Sequence, residues 1–143
     1  MKILNSLAIV GLGIILSFQA NAGTTDLGKV TCTAQYGEGY SWVVLSIETK
    51  EVCYRCTDPQ IVTTATISVP YGPRGSYITQ TYVHKKTVHY RLSSSTFQKR
   101  GQPSGHYSGD WGQWFPNEIE VMSGSVQPLY LNFKGQSLDL ECK

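Results

Sequence analysis

Residues 104–120, SGHYSGDWGQWFPNEIE, hold the densest set of side chains able to do chemistry in this chain. His106 with Asp110 or Glu118 would supply an imidazole and a carboxylate, the pairing that general acid–base hydrolysis of a glycan or an RNA needs. Tyr107, Trp111 and Trp114 supply planar rings spaced four and three apart. Such rings suit sugars or apolar groups of a partner, because they offer a large face and lose little conformational freedom on ordering. The two chemistries compete for one stretch. Glu118 and Glu120 alternate with Ile119 and Val121, so they read as the solvent face of a strand, which gives no reason for a perturbed pKa. That leaves Tyr107, Trp111 and Trp114 as the ligand-binding candidates and assigns no catalytic residue. The competing use of the rings is to plug the core, where large aromatics usually sit.

Other constellations are weaker. His84 and His89 lie five apart on a predicted strand, which is not the spacing of a helical zinc motif. No G-x-S-x-G elbow is present. Cys53-Tyr54-Arg55-Cys56 has C-x-x-C spacing, but redox chemistry needs the first cysteine at a helix N-terminus. Here Thr-Asp-Pro-Gln and a β-branched run follow instead. No second cysteine pair stands at zinc-ligand spacing. Neither a metal nor another cofactor is expected.

The elements that must position these residues are strands. The chain opens with Lys2, an apolar run from Ile3 to Phe18, and Gln19-Ala20-Asn21-Ala22. This is the pattern of a secretory signal cleaved after Ala22. Residues 23–143 are then expected to form one β domain, secreted or periplasmic, with no later apolar run long enough to span a membrane as a helix. Twelve Lys and Arg face ten Asp and Glu. That near-neutral balance argues against nucleic acid as the partner, because phosphate binding needs a concentrated positive field. The nearest thing to a basic patch, Lys85, Lys86, Arg91, Lys99 and Arg100, is dispersed and reads as a solvated face.

All four cysteines, Cys32, Cys53, Cys56 and Cys142, lie beyond the signal, an even count that predicts two disulfides. Three connectivities are open. Alternation places Cys32 and Cys142 inward on the terminal strands. This favours a Cys32–Cys142 bridge, with Cys53 and Cys56 closing a local loop.

Runs rich in Val, Ile, Thr and Tyr, separated by Gly, Pro, Asn and Ser clusters, predict strands near 28–36, 41–48, 51–56, 60–69, 76–92, 118–122, 126–133 and 137–142. The long run 76–92 invites a turn at Lys85-Lys86, and 93–117 reads as a long connection. The fold expected is a single antiparallel β-sandwich or small β-barrel of about seven to nine strands, stapled by disulfides. The function expected is that of a non-enzymatic binding module or inhibitor-like protein. It would recognise a protein or a cell-envelope glycan through the aromatic loop. A small secreted hydrolase and a structural envelope protein are the alternatives.

Overall fold

The computed structural model describes residues 23–37, 42–53, 57–71, 75–105 and 109–143. The expected signal segment lies outside the described residues, as do His106, Tyr107 and Cys56. Nine strands make one antiparallel sheet: β1 (Gly23–Gln35), β2 (Trp42–Cys53), β3 (Gln60–Pro70), β4 (Tyr77–His89), β5 (Ser93–Ser104), β6 (Glu118–Ser123), β7 (Pro128–Phe133), β8 (Gln136–Asp139) and β9 (Glu141–Cys142). One turn of helix, α1 (Trp111–Trp114), stands between β5 and β6.

The chain divides into two compact units. The smaller comprises Met1–Thr25 and Lys50–Ile61. Its Cys53 is disulfide-bonded, while the expected partner, Cys56, is among the residues not described. The larger, Asp26–Thr49 with Val62–Lys143, carries the sheet's closure and the candidate site.

Closure comes from the last few residues of the chain. The strand order is β8-β7-β6-β5-β4-β3-β2-β1-β9. Only Leu140 separates β8 from β9, so the two ends of this order are halves of a single C-terminal run. Its first half pairs with β7, from Phe133↔Gln136 to Tyr130↔Asp139. Its second half pairs with β1 through Cys32↔Cys142 and Thr33↔Glu141. Leu140 N donates to Leu129 O at 2.9 Å, and Lys143 N donates to Thr31 O at 3.0 Å. One run therefore bridges the first and seventh strands and bends the sheet into a nearly closed barrel. That leaves few unpaired edges, the usual solution for a small all-β chain. The Cys32–Cys142 disulfide clamps this closure and joins residues 110 apart in sequence.

The core follows the period of two that a strand imposes. Ala65, Ile67 and Val69 of β3 face inward with Ile78 and Tyr82 of β4, Ile119 and Val121 of β6, and Leu131 and Phe133 of β7. Gln80 is the polar exception. Its Nε2 donates at 3.1 Å to the carbonyls of Arg100 and Gly101, beside the irregular register of β4 and β5 between Thr79 and Thr81. A buried amide there satisfies backbone acceptors that the interrupted ladder leaves over.

Three strand assignments are corrected. Residues 93–104, expected within a long connection, form β5, paired with both β4 and β6. Apolar alternation hid it, because only Thr96, Phe97 and Pro103 of this strand are buried. Its serines bond polar groups of the neighbouring strands instead, Ser95 to Thr87 and Ser94 to Glu120. Residues 41–48 and 51–56, expected as two strands, fall largely within the single strand β2, Trp42–Cys53. The expected turn at Lys85-Lys86 is a register shift between His84 and Lys86 within β4. The chain reverses later, where Tyr90 N donates to Leu92 O at 3.1 Å.

Candidate functional site

Within the aromatic stretch, residues 110–116 are a pinned turn rather than a free loop. Asp110 caps α1, its Oδ1 accepting from Gln113 N at 3.3 Å. This is the standard use of an aspartate at a helix start. Three side chains, from β4, β5 and the β7–β8 turn, then hold the segment by its carbonyls. Lys99 Nζ donates to Gly112 O at 2.5 Å, Lys134 Nζ to Trp114 O at 2.7 Å, and Tyr82 Oη to Pro116 O at 2.8 Å. Tyr82 is fully buried, and burial pushes its phenol pKa up, so it stays a neutral donor.

This pinning divides the rings by role. Phe115 is the plug, 1% exposed in the core. Trp111 and Trp114 are half-buried, with ring centroids 5.1 Å apart. Trp114 packs on Phe115 at 5.0 Å, Phe133 at 5.7 Å and Tyr36 at 6.0 Å, while Trp111 meets Tyr71 at 5.5 Å. Lys134 Nζ lies 4.0 Å from the Trp114 ring centroid. Lys134 and Gly135 have φ of 52° and 80° in the two-residue turn between Phe133 and Gln136. Tight hairpins of this kind require positive φ at both positions, and the lysine accepts it while its ammonium reaches the indole. Partial burial lowers the Lys134 pKa from its ordinary value.

Two concavities meet beside these rings. A cleft of about 450 Å³ is lined by Tyr36, Trp42, Val43, Val69, Pro70, Trp111 and Trp114. A wider groove of about 830 Å³ runs between β1 and β8. Its walls include Thr33, Gln35, Gln136, Ser137, Asp139 and Glu141. The groove lies where the C-terminal run has left β1 and pairs only with β7, beyond the last β1–β9 partner, Thr33↔Glu141. Trp42, 43% exposed, belongs to both concavities. The result is an apolar, ring-lined slot that opens onto amides, hydroxyls and two carboxylates.

Of the expected site residues, Trp111 and Trp114 come together, and Tyr107 lies outside the described residues. Sequence reasoning missed Tyr36, Trp42, Tyr71 and Lys134. A signal for two of them was present, since Tyr36 and Trp42 flank the Gly37-Glu38-Gly39 connection. That is the same mixture of rings and glycines that marks 104–115. Of the acid–base candidates, His106 lies outside the described residues, and the carboxylates have other partners. Asp110 caps α1. Glu118 pairs with Lys85 at 3.0 Å on the surface. Glu120 accepts from Ser94 Oγ and, at 2.7 Å, from Asn132 Nδ2, which hold its carboxyl below the usual range. His84 and His89 bond hydroxyls of their own hairpin, Thr87 at 2.7 Å and Ser93 at 2.9 Å.

No family model, curated protein or solved structure matches the chain. Among the described residues, no cluster of three or more His, Cys, Asp or Glu could hold a metal ion, and no helix is long and apolar enough to cross a membrane.

Proposed function

We propose that this chain is an exported, non-enzymatic binding domain that takes a cell-envelope glycan along the β1–β8 groove, with Trp42 as its stacking ring. The observation that carries this reading is the position of Trp42 at the junction of the ring-lined slot and the polar groove. A sugar presents C–H faces and hydroxyls together. The first pack on an indole, and the second need amides, hydroxyls and carboxylates of the kind that Gln35, Gln136, Thr33 and Asp139 provide. Trp111 and Trp114 serve differently from the expectation at the sequence level. Their faces are largely spent on Tyr71, Phe115, Phe133 and Lys134, so they build the wall on which Trp42 stands rather than the platform itself.

A second reading follows from the slot alone. Among the described residues no charged side chain lines it, so it would take an apolar anchor residue of a protein partner. Titration separates the two. Soluble peptidoglycan fragments should shift the tryptophan emission of the wild type and leave Trp42→Ala unchanged. A flat titration with fragments, together with binding of a protein ligand that Trp111→Ala loses, would move the function to the slot. The fragments should be recovered intact. New reducing ends would give Asp139 and Glu141 a hydrolytic use instead.

A further inference from the structure

The rim of the larger unit's barrel opposite the aromatic end carries its own signal. The two most exposed large apolar side chains among the described residues are Val126, at 91%, and Tyr90, at 89%. Val88, at 53%, and Leu92 add to them. These residues occupy neighbouring hairpin tips. The β4–β5 turn lies at 90–92, and the β6–β7 turn is closed by Gly124 N donating to Gln127 O at 3.0 Å. The strand leaving the first turn pairs with the strand entering the second, with Ser93 opposite Ser123. The apolar side chains therefore share one edge of the barrel.

Charge on these two hairpins is of one sign. Lys86 and Arg91 lie on the β4–β5 arm, and residues 84–97 and 121–138 contain no Asp or Glu. On β6, the strand paired with β5, both carboxylates have partners. Glu118 is paired with Lys85, and Glu120 is held by Ser94 and Asn132, with Lys86 contributing a Coulombic pull on it. The β4–β5 ladder continues through Thr87↔Ser95, Val88↔Ser94 and His89↔Ser93, so the arm's backbone groups are satisfied almost to its tip. A hairpin of that kind can leave bulk water without stranding polar backbone.

An aromatic ring, aliphatic side chains and flanking cations, with no carboxylate on either hairpin tip, form the composition of the interface between headgroups and acyl chains. The ring sits at headgroup depth, the aliphatics below it, and the cations meet phosphates. We propose that this rim docks the barrel on a membrane surface rich in anionic headgroups, with Tyr90, Val126, Val88 and Leu92 entering the interface and Arg91 and Lys86 facing lipid phosphates. The docked barrel presents its aromatic end away from the bilayer. This inference is independent of the glycan reading.

The test is cosedimentation of the purified protein with vesicles of phosphatidylcholine alone and of phosphatidylcholine with phosphatidylglycerol. Binding is expected on the anionic vesicles, weakening as salt is raised, with little on the neutral ones. Tyr90→Ser with Val126→Ser should lower the partition coefficient about tenfold, because buried apolar area sets interfacial affinity. Both side chains are almost fully exposed, so circular dichroism should remain that of the wild type. Arg91→Glu should remove the preference for anionic vesicles. No binding to anionic vesicles, or a double variant that binds as the wild type does, overturns the proposal. So does self-association in sedimentation velocity that the double variant abolishes while vesicle binding is absent, because the rim would then join copies of the chain.

Discussion

Replacing both Cys32 and Cys142 by alanine opens a loop whose ends lie 110 residues apart. In the chain-entropy account, a cross-link over that separation removes about 16 cal/mol/K from the unfolded ensemble, or about 4.8 kcal/mol at 25 °C. The bridge also stands at the weakest part of the barrel. Two ladder pairs and the Lys143–Thr31 bond tie the C-terminal run to β1. Guanidinium unfolding followed by tryptophan emission should show the double variant less stable by about 4–5 kcal/mol. Its melting temperature should fall on the order of 15 °C for a domain of this size. Amide exchange should rise first at residues 141–143 and 31–33, while the β3–β4 ladder stays protected. A loss below about 1 kcal/mol would refute the reasoning, because the unfolded chain would then gain almost no freedom from the missing cross-link. Uniform loss of protection would refute the second part, since closure would then not be a separable event.

Three further outcomes are expected. Phe115→Ala should cost about 3–5 kcal/mol in the same unfolding assay, because it empties a fully buried ring site, whereas Trp111→Ala should cost clearly less. Gly105→Ala should destabilise by about 1–3 kcal/mol: φ there is +130°, and an added Cβ would stand 2.5 Å from Tyr77 O. A neutral result would mean that β5 ends differently. For Glu120, the hydrogen bonds from Ser94 and Asn132 lower the folded-state pKa, so the unfolded chain binds the proton more readily. The stabilisation is therefore complete above the ordinary carboxylate pKa and is lost as pH falls through the lowered folded value. Stability measured against pH should have a shallower acid limb in Glu120→Gln, and an unchanged limb would remove this carboxylate from the account.

The barrel was legible wherever one strand face is apolar. Leu138 and Leu140 against Asp139 and Glu141, or Leu131 and Phe133 against Asn132, state their parity openly, and parity placed Cys32 and Cys142 inward before any pairing was known. β5 was not legible because Ser93 to Thr96 give no contrast between faces. Its stability comes from neighbours on both sides, which a linear pattern does not record. The site was half legible for a related reason. Ring density pointed to Trp111 and Trp114, but which faces stay open depends on Tyr36, Tyr71, Phe133 and Lys134, brought from three other parts of the chain. Trp42 becomes prominent only when β1 and β8 diverge beside it, and that divergence follows from where the closing ladder stops.

The central claim is that ligand is held where the ring-lined slot meets the β1–β8 groove. Chemical-shift mapping on isotope-labelled protein tests it most directly, during titration with soluble peptidoglycan fragments. The account predicts perturbation of the Trp42 indole N–H and of backbone amides in residues 33–35 and 136–141, with the hairpin tips at 90–92 and 124–127 unmoved. Perturbation confined to those tips, or none anywhere at saturating fragment, would contradict it.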